Sequence, residues 1–276
     1  MLLAAFEGWN DAGDAASSAV RWLADRHGAE QVGIIESEEF FDFTSTRPLV
    51  ERDDDGVRRL VWPDTEIWAA VTDSGRDLLF LIGHEPQTRW RTFCRAVQQL
   101  AEELDVSMVV TLGALLSDIP HTRPTVVSAT SEDPELVHRL DLVRSTYEGP
   151  TGIVGVLGST LNNAGVAAAS IWASVPTYVS GAPSPKATLA LIERTCELLG
   201  INVATTDLEI ASAAYIRQIN ELVAADEDTA AFVADLEEAA DDTHPEGDDD
   251  FEGAAPLTEV DPRELVEEVE KFLRGD

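Results

Sequence analysis

A chain of 276 residues with 44% apolar side chains can bury a substantial core, either as one large α/β domain or as one domain with an appendage. Its 52 acidic residues against 19 basic ones leave a net charge of −33, which sets it against nucleic acid and anionic membranes as partners. Two cysteines, Cys94 and Cys196, each on the apolar side of a helical pattern, support no disulfide framework and point to a reducing cytoplasm; an apolar opening without a basic leader, and no apolar run of about 18 residues, predict neither export nor a membrane span.

In chain order, residues 2–6 read as a strand, 11–26 as a helix and 31–36 as a strand. The turn-forming Asp53-Asp54-Asp55-Gly56, between Val50 and the run 58–62, predicts a hairpin. Strands follow at 66–72 and 78–82, then a helix at 88–104 that places Trp90, Phe93, Val97, Leu100 and Leu104 on one face. Runs 107–112, 125–129, 152–157 and 176–179 read as strands, and 159–172 and 185–199 as helices. Residues 207–240 form one long helix or two, with Asp228 able to cap the second. Alternating strands and helices predict an α/β fold with a mixed, mostly parallel sheet flanked by helices, carrying a C-terminal helical extension.

The acid is concentrated in that extension: residues 221–276 hold 21 acidic and 3 basic residues. A domain over 1–225 is therefore expected, followed by an acidic helical tail over 226–276 with a flexible linker at about 241–258. Beyond the linker, Asp261 and Pro262 are a helix cap and first position, and Leu265, Val266, Val269, Phe272 and Leu273 share one apolar face.

Open α/β sheets bind ligands outside the carboxyl ends of their strands, so the loops there supply the candidate ligand-binding residues. The first holds Glu7, Gly8, Trp9, Asn10 and Asp11, where turn and cap chemistry competes with ligand contact and Trp9 is the one tryptophan read as a contact rather than as core. The loop after 78–82 sets His84 beside Glu85, a pairing able to move protons near neutral pH but more often a polar strand end. A long loop from Gly113 to Pro124 carries His121 and Arg123 between prolines, suited to an anionic group or to an ordinary ion pair. Gly158-Ser159-Thr160, read as opening a helix that also bears Asn162, could hold an anion, although the glycines fit close packing better. The segment has neither a Walker ending nor a dinucleotide fingerprint; histidines at 27, 84, 121, 138 and 244 lack zinc spacing, and a nucleophile elbow is absent, so no metal, cofactor or catalytic residue is assigned.

Residues 5–16, Ala5-Phe6-Glu7-Gly8-Trp9-Asn10-Asp11-Ala12-Gly13-Asp14-Ala15-Ala16, the middle Pro120-His121-Thr122-Arg123-Pro124 and the later run Val179-Ser180-Gly181-Ala182-Pro183-Ser184-Pro185-Lys186 resemble, in order and spacing, the proteasome assembly chaperone 2 family in its actinobacterial branch. The resemblance covers about residues 1–225 and implies a phosphorylase/hydrolase-like α/β fold and homo-oligomeric assembly, a trimer being the candidate state. Its eukaryotic members escort proteasome α subunits, so proteasome-related subunits are the implied partners. Those members end in a hydrophobic-Tyr-any tail, where this sequence reads Phe272-Leu273-Arg274-Gly275-Asp276. Two functions follow: a non-enzymatic assembly or scaffold protein, which the sequence favours, or a small-molecule binder or hydrolase/phosphorylase-like enzyme using the strand-end crevice.

Overall fold

The computed structural model describes residues 1–53 and 55–242. In chain order the elements are β1 (Leu2–Glu7), α1 (Ala15–Arg26), β2 (Glu30–Ile35), β3 (Leu49–Arg52), β4 (Arg58–Val61), β5 (Thr65–Val71), β6 (Asp77–His84), α2 (Trp90–Glu103), β7 (Val109–Ser117), β8 (Val127–Thr130), α3 (Pro134–Leu140), α4 (Ile153–Asn163), β9 (Ala168–Pro176), α5 (Pro185–Leu199), α6 (Thr206–Ala224) and α7 (Glu227–Asp242). Seven strands form one sheet in the order β2-β5-β6-β1-β7-β9-β8, and β3 pairs with β4 as a separate hairpin. The central neighbours β6, β1, β7 and β9 are parallel, while β5 and β8 run against them. Because β2 is antiparallel to β5, it runs with the central strands, so the sheet is mixed and mostly parallel, flanked by helices as the alternating pattern predicts.

Strand β1 shows why both sheet faces are covered. Leu3 and Ala5 join the core under α1 and α5, while Leu2, Ala4 and Phe6 join the core under α2 and α4. Side chains of a strand alternate in direction, so an unbroken apolar run demands a layer on each side. The helices answer with matching stripes. α1 buries Ala15, Ala19 and Leu23 at four-residue spacing, and small residues there let it lie close to the sheet. α2 buries Phe93, Cys94, Val97 and Ala101, with Phe93 edge-on to both Phe6 and Phe40. Each such fully buried large side chain contributes about 1.5–3 kcal/mol relative to exposure. α5 carries complete end signals: the Ser184 hydroxyl accepts from the Ala187 N–H, Pro185 takes the first position, and Gly200 closes the helix at φ 62°. Cys94 and Cys196 are buried free thiols, and burial pushes each up to about 11.

Four expectations are corrected between residues 107 and 179. Residues 152–157, read as a strand, begin α4, where Ile153, Val154, Leu157 and Leu161 form a buried helical stripe. The helix expected at 159–172 therefore ends at Asn163, and β9 takes up 168–176, with Ala169, Ile171, Ala173 and Val175 all on the α1–α5 side. Alanine is the best helix former, and its abundance in this stretch obscures the period of two. The run 176–179, read as a strand, is the end of β9 followed by a 3-10 turn at Thr177–Val179. β7 also runs on to Ser117, so the first five residues of the expected Gly113 loop are strand. The short helix α3, capped by Asp133, has no counterpart in the sequence reading. The region 207–240 is two helices, α6 and α7, and the expected linker from 241 begins with Asp241 and Asp242 still in α7. The expected terminal helix at 262–273 lies outside the described residues.

Gly113 is fixed by its neighbour across the β7–β9 pair. It sits opposite Trp172, and an added Cβ would stand 2.5 Å from that ring. Overpacking of this kind costs about 1–3 kcal/mol. Gly113→Ala is therefore expected to lower the unfolding free energy by that amount, and the denaturant midpoint by that amount divided by the unchanged m-value; an unchanged midpoint would contradict the packing.

Candidate functional site

The carboxyl ends of β1 and β6 meet through side chains from the loops that follow them. Gly8 turns the chain at φ 126°, and Asp11 then folds back so that its Oδ1 accepts from the Ala16 and Ser17 N–H groups at 2.7 and 3.2 Å. Asp11 thus satisfies two donors of the first turn of α1. Its other oxygen, Oδ2, is buried without a protein partner, and burial pushes the carboxyl above its ordinary range against the pull of those bonds. Asn10, also buried, donates from Nδ2 to Glu85 Oε1 at 2.8 Å, while its carbonyl accepts from the Ala114 N–H of β7 at 2.8 Å. The same Glu85 oxygen accepts from the Ile153 N–H at 2.7 Å, capping α4 from outside. The preceding Gly152 makes room for this join: a Cβ there would lie 2.4 Å from the Asn10 amide.

Glu7 and His84 form a second, more open pair. Glu7 Oε2 meets His84 Nδ1 at 2.9 Å and its Oε1 meets Arg21 at 2.6 Å. The hydrogen bond to Glu7 raises the imidazole above its ordinary value, and the same bond holds the Glu7 carboxyl below its own. The expected proton-transfer pairing of His84 with Glu85 does not form; the adjacent carboxylate points instead to Asn10 and α4.

His121 and Arg123 are taken up by the fold. His121 is buried, with Nδ1 on the Tyr178 hydroxyl at 2.8 Å and Nε2 on Asn220 Oδ1 at 2.9 Å. An Nε2–H tautomer satisfies both, and burial holds this imidazole below its ordinary value. Lys186 caps the loop from below, donating to the carbonyls of His121 and Arg123. Arg123 grips Asp241 of α7 with two bonds of 2.7 Å and lies 3.5 Å from Glu237. Sequence reading missed Tyr178, Lys186 and Asn220 in this cluster; only the Ser184-Pro185-Lys186 run hinted at one of them.

A cleft of ≈ 1030 Å³ opens outside the carboxyl ends of β1 and β7 and reaches, beside α4, the first residues of β9 and the end of β8. Trp9, Asn10, Asp11, Ser159 and Asn162 line it, whereas Glu7, His84, His121 and Arg123 do not. Ser159 and Asn162 reach it from within α4, not from a helix N-terminus, so the expected anion-holding Gly-Ser-Thr opening is absent; the α4 N-terminus is Ile153, and Glu85 occupies its first donor. Trp172, expected in the core, forms part of the wall, and Trp9 stands 67% exposed. Asp11, Asp14 and Glu132 are the charged lining residues, with no Lys, Arg or His among the described ones. Such a cleft suits cationic or hydrogen-bond-donating groups with an apolar body. Among the described residues, no group of three His, Cys, Asp or Glu is placed to hold a metal ion, and no helix is long and apolar enough to cross a membrane.

The PAC2 family model matches residues 5–223. The chain is 44% identical to a PAC2 family protein from Streptomyces avermitilis, over 84% of this chain and 98% of that one, with a TM-score of 0.78. It is 43% identical to a proteasome-assembly chaperone homologue from Mycobacterium tuberculosis, over 84% and 99%, with a TM-score of 0.76. The Pyrococcus furiosus protein PbaA, an archaeal homologue of proteasome-assembly chaperone, shares the fold at 16% identity, 87% and 94% coverage and a TM-score of 0.60. No curated protein matches the sequence.

The two histidines separate in pH. The His84 pairing adds stability that is full below the ordinary value of 6.5 and is lost as pH rises through its folded value. Neutral burial of His121 adds stability above 6.5 that is lost as pH falls toward and through its lowered value. NMR titration should place His84 above and His121 below 6.5, and Glu7→Gln should return His84 alone toward it. Coincident titration of the two rings would contradict these environments.

Proposed function

This chain belongs to the PAC2 family, and from that premise we propose that it is an assembly or scaffold protein without catalytic activity, acting as a homo-oligomer, with a trimer as the candidate state. Proteasome-type subunits are the partner class, a reading supported by the mycobacterial chaperone homologue at 43% identity. The observation that carries it is the outer helical layer. α6 docks on α5 through Ser212, Tyr215 and Ile219, yet presents Ile210 and Leu222 to solvent at 66% and 67% exposure, with Phe232 of α7 at 41%. Large apolar groups left bare on a highly acidic protein suit partner contact, while the charge disfavours indiscriminate association. The cytoplasm is the proposed setting, in keeping with two buried, unpaired thiols. Residues 1–225 are the proposed working domain and 226–276 the appendage; the break between α6 and α7 supports that boundary, although α7 packs back through Arg123.

A second reading, small-molecule binding in the strand-end cleft, is favoured by the size of that cleft and by the acidic Asp11, Asp14 and Glu132 among its lining residues. The candidate contacts are then Trp9, Asn10, Asp11, Ser159 and Asn162. Protein purified gently from its own cytoplasm and weighed by native mass spectrometry should carry proteasome-type subunits. Ile210→Glu with Leu222→Glu should reduce that co-purification at least ten-fold while leaving the fold intact by circular dichroism. A retained small molecule with no protein partner would instead establish the second reading.

A further inference from the structure

We infer that the strand-end cleft is a trough for a neutral oligosaccharide. This rests on the cleft-binding reading above and names its ligand class. The cleft is long: its lining runs from Ala168, the first residue of β9, to Leu116 of β7, which stands beside Val175. Seven steps of strand separate Ala168 from Val175, and at ~3.3 Å each they span roughly 23 Å. A compact metabolite leaves most of such a trough empty, whereas a chain of sugar rings can follow it.

The floor shows what the trough receives. Ser128 and Thr130 of β8 pair directly with Trp172 and Ser170 of β9, so all four project from the same face of the sheet as Ala168, which joins the α2–α4 core. On that face α4 lies over β7 and β9, while α5 meets β8 from the opposite side, where Ala129 is buried. A strand face built to receive a helix is apolar. Here three hydroxyls and an indole take that place. The side chains of Ser128 and Thr130, and of Asn162 on the α4 wall, are half-buried and make no hydrogen bond among the described residues, so their donors and acceptors are open to a ligand. Trp9, Tyr147 and Trp172 reach the cleft from three separate segments. The negative face of an aromatic ring attracts the polarised C–H bonds of a sugar ring, while the hydroxyl and amide groups meet its rim.

Charge and edge pairing set the other classes aside. Asp14 and Glu132 line the cleft with no Lys, Arg or His among the described residues, which disfavours phosphorylated, sulfated and carboxylated ligands. Asp14 follows the carboxyl end of β1 and Glu132 lies beyond Thr130, beside the start of β9; they stand at opposite ends of the trough and do not converge on one ammonium group. A polyamine spanning both would lay methylene groups over the hydroxyls of the floor and leave them unpaired, at a cost of about 1–3 kcal/mol each where water is shut out. A peptide strand has no edge to join, because the outer side of β8 is taken by Val143, whose N–H donates to the Ala129 carbonyl and whose carbonyl accepts from the Ser131 N–H.

Calorimetric titration of the full chain with maltotetraose, cellotetraose and mannotetraose tests this. At least one should saturate a single site and bind ten-fold or more tighter than its monosaccharide. Trp9→Ala, at an exposed position, should weaken that glycan about ten-fold and Thr130→Val about five-fold, with circular dichroism unchanged, and tetragalacturonate, a carboxylated chain of the same length, should not bind. Glycan binding that both substitutions leave unaltered would put the ligand elsewhere and overturn the assignment. Spermidine binding that Trp9→Ala weakens, with no response to the three neutral glycans, would overturn the ligand class and leave the cleft-binding reading standing. Silence from every probe, with a native mass spectrum free of small molecules, would overturn both.

Discussion

One carboxylate oxygen holds the carboxyl end of the sheet together. Glu85 Oε1 accepts both from Asn10, in the loop after β1, and from the first N–H of α4. Asn10 in turn receives the Ala114 N–H of β7, so loops after two adjacent strands, the middle of a third and a helix start meet within three hydrogen bonds. Each of these groups is buried or half-buried, where a donor or acceptor left unpaired costs about 1–3 kcal/mol, and Gly152 provides the space that lets them approach. Because α4 forms one wall of the cleft and the Trp9–Asp11 loop another, the shape of the cleft follows from this join.

The polar residues of this end divide between two tasks. Asn10, Glu85, His121, Lys186 and Arg123 hold loops and helices in place, each with named protein partners. Trp9, Ser159 and Asn162 line the cleft without such duties, while Asp11 lines it and also caps α1. The cleft offers shape, negative charge and aromatic faces, and the exposed pair of Glu7 with His84 stands outside it. The exposed hairpin and the bare residues of α6 extend the same theme, since both leave apolar area on a chain whose charge of −33 keeps copies apart unless complementary surfaces meet.

The first half of the fold was legible in sequence because its patterns were local. Short apolar runs for β1, β5 and β6, the Asp-rich hairpin turn and the amphipathic stripe of α2 each announce their own structure. From Gly152 to Pro176 the signals conflict, because glycines fall in helix α4 and alanines in strand β9, against their usual preferences, and leave short apolar runs with no decisive period. That misreading carried into the site by placing Ser159 at a helix start. The roles of His121 and Arg123 were hidden for another reason: their partners Asn220 and Asp241 lie 99 and 118 residues away, and no spacing rule links them. Trp9, singled out because it sits in a turn, does stand exposed at the cleft.

Hydrogen exchange on Glu85→Ala against the unaltered protein tests the Glu85 join most directly. If this carboxylate ties the strand end together, the amides of Ile153 and Ala114 should lose protection at least ten-fold while those of β1 and β6 keep theirs. Unchanged protection at Ile153 and Ala114 would show that the cleft is shaped by packing alone and would contradict the account.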